Sequence, residues 1–252
     1  MAMNESLSVT LTVNGDDITA SIEPRMLLVD FLREHAATKG VRIGCEEGAC
    51  GACTVHVEGQ PIKSCLALAA RANGKKITTV EGLGQGRALS KLQQAFVDCH
   101  ALQCGYCTAG MLMSAQAFLN KHVDQDFDDD DIRQALTGNY CRCTGYNNII
   151  HAIKVAAGKA EPLTKLEAPG ENEGWIGKPV PRREDRRLVS GRGRYADSFG
   201  EAHDLTLVAV RAKRAHAKIV SIDTSQAQTM PGVRLIMTGA EAKAHWLSLI
   251  HI

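Results

Sequence analysis

The sequence predicts an α+β protein made of consecutive blocks, and three observations lead there. Apolar and polar residues alternate with a period of two near the start of the chain. From Leu89 onward apolar residues recur at helical spacing, and beyond a Gly/Pro-containing stretch new strand-like runs begin. The expected order is a strand-rich block, an all-α block of four helices, and an incomplete α/β segment.

Val9, Leu11 and Val13 alternate with Ser8, Thr10 and Thr12, as in a half-buried strand. Asn14-Gly15 tolerates positive φ at both positions, and Ile18, Ala20 and Ile22 resume the alternation, which predicts a β-hairpin. Leu28, Phe31, Leu32 and His35 fall at helical spacing, so a helix should pack on that hairpin. Short strands follow at Thr54–Val57 and Ile77–Val80. Gly82, Gly84 and Gly86 mark a domain junction. They do not complete a dinucleotide fingerprint, because Arg87 stands where its third glycine would be.

Helix faces then follow at Leu89/Leu92/Phe96/Cys99 and at Met111/Ala115/Phe118. The run Asp128–Asp131 places acid at the positive dipole end of a helix expected near Ile132, and Asn147 or Asn148 is suited to cap a last helix through Ile149, Ile150 and Ile153. Ala157–Trp175 holds Gly158, Pro162, Pro169 and Gly170 among mixed charges and reads as a linker. Strands are expected beyond it at Leu205–Val210, Ile219–Ile222 and Val233–Met237.

Composition narrows the function classes. The 252 residues carry 29 Lys+Arg against 28 Asp+Glu, a net charge of +1, which argues against global attraction to nucleic acid or anionic membranes. No apolar window approaches the roughly 18–20 residues of a membrane span, and the first residues lack a signal-peptide pattern. A cytoplasmic protein is expected, so its nine cysteines read as metal ligands or reactive thiols and not as a disulfide framework. Lys178, Arg182, Arg183, Arg186, Arg187, Arg192 and Arg194 form a basic concentration without interleaved aromatics, which fits a solvated or subunit-facing surface better than a nucleic-acid site.

Eight cysteines fall into two groups. Cys45, Cys50, Cys53 and Cys65 follow the C-x4-C-x2-C spacing, with a distant fourth residue, of a plant-type [2Fe–2S] site. Glycines at 44, 48 and 51 let backbone N–H groups approach the sulfurs. Cys104, Cys107, Cys141 and Cys143 form C-x2-C and C-x-C pairs, a spacing that suits iron–sulfur and zinc equally. Cys99 has no partner at ligand spacing and reads as a buried helix-face thiol, and Met111 and Met113 read as core. His56 and His100 read as packed or solvated side chains. Asp128–Asp131 lacks the glycine and terminal glutamate of a calcium loop.

The segments around both groups resemble those of the xanthine oxidase family of molybdenum hydroxylases. They are Gly44-Cys45-Glu46-Glu47-Gly48-Ala49-Cys50-Gly51-Ala52-Cys53, Gln103-Cys104-Gly105-Tyr106-Cys107-Thr108-Ala109-Gly110-Met111 and Gly138-Asn139-Tyr140-Cys141-Arg142-Cys143-Thr144-Gly145-Tyr146. The resemblance implies a β-grasp ferredoxin-like domain at 6–84 and a helical four-helix domain at 87–158, holding two [2Fe–2S] clusters on the eight cysteines. It implies an electron relay from a molybdenum centre to FAD or another acceptor, with the helical-domain cluster nearer molybdenum. Gln103 and Cys143 would touch the molybdopterin dinucleotide.

Ile176–Asp185 and Gly191–Tyr195 resemble the start of the family's molybdenum-binding subunit, which implies a linker at 159–175 and a truncated piece of that domain at 176–246. The implied partners are the molybdenum-binding subunit or domain and an FAD-binding subunit or other acceptor. The family's catalytic glutamate has no counterpart in these residues. Leu247–Ile252 resembles the in-frame translation of a transposon end used in sequencing-library preparation, which would make 247–252 a non-native tail; it reads equally as a short apolar strand. Two rival readings stand beside the family: a free-standing [2Fe–2S] carrier, and a zinc-stabilised interaction module.

Overall fold

The opening hairpin forms as its sequence dictates. Strands β1 (Leu7–Val13) and β2 (Asp16–Ile22) pair antiparallel, closed by Asn14 and Gly15 at φ of 53° and 102°. The computed structural model describes residues 6–86, 88–123, 125–163, 174–180, 182–196, 204–212 and 214–245. The chain divides into two compact units, 1–198 and 199–252.

In the first unit β1 and β2 join β3 (Thr54–Val57), β4 (Gln60–Lys63) and β5 (Lys76–Thr78) in one sheet of order β2-β1-β5-β3-β4. The β1/β5 pair is parallel and the others are antiparallel. Helix α1 (Leu28–Glu34) buries Leu28, Phe31 and Leu32 against Val9, Leu11, Val55 and Ile77. Each of these large side chains contributes about 1.5–3 kcal/mol by leaving water. The sequence reading lacked β4. Its second residue, Pro61, has no N–H and is tolerated because β4 lies at the sheet edge. Ile77 is in β5, but the strand stops at Thr78 and a 3-10 turn takes Val80–Gly82.

Four helices follow: α2 (Lys91–Asp98), α3 (Thr108–Lys121), α4 (Asp129–Ala135) and α5 (Asn147–Ala156). They share a core of Leu92, Phe96, Met111, Met113, Ile132 and Ile149. A capping box of Ser90 and Gln93 starts α2, and Asp128 with Asp131 starts α4, so that helix begins three residues ahead of Ile132. The asparagine caps expected for α5 are absent. Tyr146 occupies the cap position at φ +69° with no side-chain cap bond, and the Asn148 amide instead donates to the His100 carbonyl. Cys99, Met111 and Met113 are fully buried, as expected.

Residues 182–196 belong to this same unit. Helix α6 (Asp185–Val189) seats Leu188 and Val189 in the helical core, and the buried Gln93 amide donates to both Val80 and Val189 carbonyls. Within the basic stretch, Arg182 pairs with the buried Asp185, and Arg192 donates to the Gly86 carbonyl. Most of the 159–175 linker, at 164–173, and the 247–252 tail lie outside the described residues.

The second unit contains α7 (Ser225–Gln228) and α8 (Gly239–His245). The three strands expected at 205–210, 219–222 and 233–237 do not form among its described residues. Their apolar side chains stand in solvent, Val210 at 97% and Leu235 at 72% exposure. A strand needs a neighbour to satisfy its N–H and C=O groups, and none of the described residues of this unit supplies one.

Candidate metal centres

The first cysteine group sits in the loop between α1 and β3, with Cys65 in the 3-10 turn that follows β4. Glu46, Gly48 and Gly51 take positive φ, which folds the loop back on itself. The Cys50 amide donates to the Cys45 sulfur at 3.3 Å. That bond, joined by the Glu47 amide, lowers the Cys45 thiol to about 7. β3 begins one residue after Cys53 and β4 ends two before Cys65. The Thr54↔Lys63 register brings these two sulfurs to the same end of the hairpin. The Ser64 hydroxyl, donating to the Cys53 carbonyl at 2.7 Å, closes the junction.

The second group spans two loops. Cys104 and Cys107 lie between α2 and α3, with Cys107 at the N-cap position of α3. Cys141 and Cys143 lie between α4 and α5. The Cys141 amide donates to the Tyr146 hydroxyl at 2.8 Å, and that hydroxyl donates to the Asn139 carbonyl. Gln103, exposed at the rim, donates its amide to the Cys143 carbonyl at 3.1 Å, so the two residues expected at the pterin are side by side.

Within each group the thiols interact in pairs: Cys45 with Cys50, Cys53 with Cys65, Cys107 with Cys141, and Cys104 with Cys143 at 3.4 Å. Among the described residues, no three or more His, Cys, Asp or Glu side chains are arranged to hold a single metal ion. Two pairs per site fit a two-iron cluster, each iron taking two thiolates, better than one zinc tetrahedron. The electrostatics agree. Burial pushes the Cys65 thiol up to about 11 and the Cys107 thiol higher still, so both need a cation beside them to ionise. No disulfide links any of the nine thiols.

Several residues that hold the two centres together were missed in the sequence. The Tyr140 amide donates to the Cys50 carbonyl at 2.8 Å, joining the second group's C-x-C loop directly to a cysteine of the first. The buried Asn139 amide donates to the Gly51 carbonyl, and its oxygen accepts from Ser114. The Tyr106 hydroxyl, between Cys104 and Cys107, donates to the Ile43 carbonyl at 2.6 Å. Tyr195 donates to the Cys104 carbonyl at 2.9 Å and meets the Tyr106 ring edge-on, with the Arg42 guanidinium 4.6 Å from its centroid. Asn139 and Gly110 lie inside the quoted motifs; a Cβ on Gly110 would lie 2.0 Å from the Gly51 carbonyl oxygen, and a glycine inside a helical pattern was the available signal of that approach.

Comparison with known proteins follows the same division of the chain. Residues 11–79 match the 2Fe-2S iron-sulfur cluster binding domain, 79–154 the [2Fe-2S] binding domain, and 190–249 the a/b hammerhead domain of aldehyde oxidase and xanthine dehydrogenase. Caffeine dehydrogenase subunit gamma of Pseudomonas sp. is 48% identical over 159 residues, which are 63% of this chain and 93% of that subunit. The chain belongs to the xanthine oxidase family of molybdenum hydroxylases.

Other members of the family extend the match beyond the iron–sulfur part. Aldehyde oxidoreductase of Megalodesulfovibrio gigas is 38% identical over 243 residues, 92% of this chain but 27% of its own length. The crystal structure of the aldehyde oxidoreductase from Desulfovibrio desulfuricans superposes with a TM-score of 0.77 at 36% identity, covering 92% of this chain and 26% of that one. The chain thus spans 93% of that separate small subunit and about a quarter of the single-chain enzymes. No helix among the described residues is long and apolar enough to cross a membrane.

Proposed function

We propose that this chain is the electron-transferring iron–sulfur part of a molybdenum hydroxylase. A β-grasp ferredoxin-like domain (6–84) holds one cluster and a four-helix domain (87–158) the other. The ligands are Cys45, Cys50, Cys53 and Cys65 for the first, and Cys104, Cys107, Cys141 and Cys143 for the second. Bound [2Fe–2S] clusters would supply one-electron reduction and reoxidation at their irons, held by these thiolates. The chain's own contribution is to hold the thiols in pairs and to fix one loop against the other.

The observation that carries this reading is the pairing of the eight thiols together with the Tyr140–Cys50 backbone bond joining the two sites. Gln103 and Cys143 lie together at an exposed rim, which fits contact with a molybdopterin dinucleotide held by the molybdenum-binding subunit or domain. The acceptor side is an FAD-binding subunit or another carrier. The apolar side chains standing exposed at 205–210 and 219–222 fit a partly represented molybdenum-binding domain, as does the hammerhead match at 190–249.

Anaerobic reductive titration of the reconstituted chain tests this. Two electrons should be taken up per chain, with visible absorbance bleaching in step. A chain that takes up no electrons would refute the proposal.

A further inference from the structure

Lys63 occupies an unusual place for a lysine. It closes β4, opposite Thr54 and two residues ahead of Cys65. A lysine at a sheet edge ordinarily extends its ammonium into water. Here the side chain turns inward across the hairpin and is held at both acceptors it reaches. Nζ donates to the Thr54 hydroxyl at 3.1 Å and to the Gly138 carbonyl at 2.7 Å. Thr54 follows Cys53, and Gly138 opens the Gly138–Tyr146 segment that carries Cys141 and Cys143. One ammonium is therefore fixed where the two cysteine loops meet.

The charge is not neutralised nearby. Among the described residues Lys63 forms no ion pair with a carboxylate. Asp131, Lys121 and His122 line the same groove of about 820 Å³. The ammonium is held against Thr54, the residue after Cys53, and its own residue stands two ahead of Cys65, so two cysteines of the first site flank it along the hairpin.

We propose that Lys63 is a positioning residue that sets the reduction potential of the first centre, its fixed positive charge favouring the added electron. The proposal rests on the two-cluster reading above. Reduction places one more negative charge behind these thiolates, and a half-buried cation close to them stabilises that state more than a solvated one does. Lys63 and its partner Thr54 directly flank cysteines of the first site, whereas the second is reached only through the Gly138 carbonyl, three residues ahead of Cys141, so the larger effect falls on the first.

The test is an EPR-monitored redox titration of the cluster-loaded chain, reduced with dithionite and reoxidised with ferricyanide. Lys63→Met, Lys63→Gln and Lys63→Arg are compared with the unaltered protein. Met and Gln should lower the midpoint of the first cluster and leave the second nearly in place, while Arg should stay close to the original. Gln keeps an amide donor for the Gly138 carbonyl, so a shift in Met without one in Gln would overturn the charge role. Unshifted midpoints in both, or equal displacement of both clusters, would overturn it as well. Should Lys63→Met lose its first signal, the Gln and Arg variants decide by the same criteria. Absence of any cluster signal in the unaltered protein would instead defeat the two-cluster reading.

Discussion

Gly110→Ala sets two known effects against each other. Gly110 lies in the first turn of α3, and alanine in a helix interior is favoured over glycine by about 0.5–1 kcal/mol. Propensity alone therefore predicts a more stable protein. The structure predicts the opposite. A Cβ at this position would lie 2.0 Å from the Gly51 carbonyl oxygen and 3.0 Å from the Ala52 Cα, where ordinary contact begins near 3.4 Å. The obstacle is backbone and cannot rotate away. The same carbonyl accepts from the Asn139 amide at 3.1 Å and the Thr54 hydroxyl at 2.7 Å, so pushing it aside weakens both bonds.

Overpacking costs about 1–3 kcal/mol, and each strained hydrogen bond about 0.5–1.5 kcal/mol. After the helix gain is subtracted, a net loss of about 1–5 kcal/mol remains, a fall in unfolding midpoint of roughly 2–20 °C for a chain of this size. The assay is thermal unfolding of the cluster-loaded chain, followed by visible absorbance and far-ultraviolet circular dichroism. If unfolding is irreversible, half-lives at one temperature replace midpoints. A midpoint equal to or above that of the unaltered protein would refute the claim that α3 and the first cysteine loop are in backbone contact.

Three further outcomes follow from named contacts. Cys50→Ser should disturb the first cluster and leave the second EPR signal largely intact, because the Tyr140 amide bonds the Cys50 carbonyl and not its side chain. Tyr195→Phe removes the bond to the Cys104 carbonyl, worth about 0.5–1.5 kcal/mol, and Tyr195→Ala also removes the Tyr106 and Arg42 contacts. Limited proteolysis within 182–196 should accelerate in that order. His56 is buried and donates Nε2–H to the Met113 carbonyl at 2.8 Å, and burial holds its pKa below the usual 6.5. The unfolded chain therefore binds the proton first, and the stability His56 contributes is full above pH 6.5 and lost as pH falls through the lowered value. Unfolding midpoints measured from about pH 7 to 5 should fall less steeply in His56→Gln.

What was legible in the sequence follows from how locally each feature is determined. The first hairpin, α1 and the helix faces of α2 and α3 are set by spacing over a few residues, and Asn14-Gly15 fixes the turn chemically. β4 escaped because Pro61 argues against a strand unless the edge position is known. The α5 cap escaped because Tyr146 adopts a left-handed backbone to deliver its hydroxyl to the Cys141 amide, a tertiary demand overriding local preference. The strand-like runs after 204 read correctly as apolar, but strand formation depends on neighbours that their own composition cannot supply. The cysteine groups were legible because ligand spacing is itself a local constraint. The groups that fasten the two sites together act across 63 to 91 residues of chain, through Tyr106, Asn139 and Tyr195, and only the fold displays them.

The central claim is that the eight paired thiols hold two [2Fe–2S] clusters. Metal analysis of the anaerobically purified chain, combined with EPR of the dithionite-reduced protein, tests it most directly. The account predicts about four irons per chain, matched by acid-labile sulfide, and two distinguishable reduced signals. A colourless chain carrying zinc at both sites and no EPR signal would contradict it.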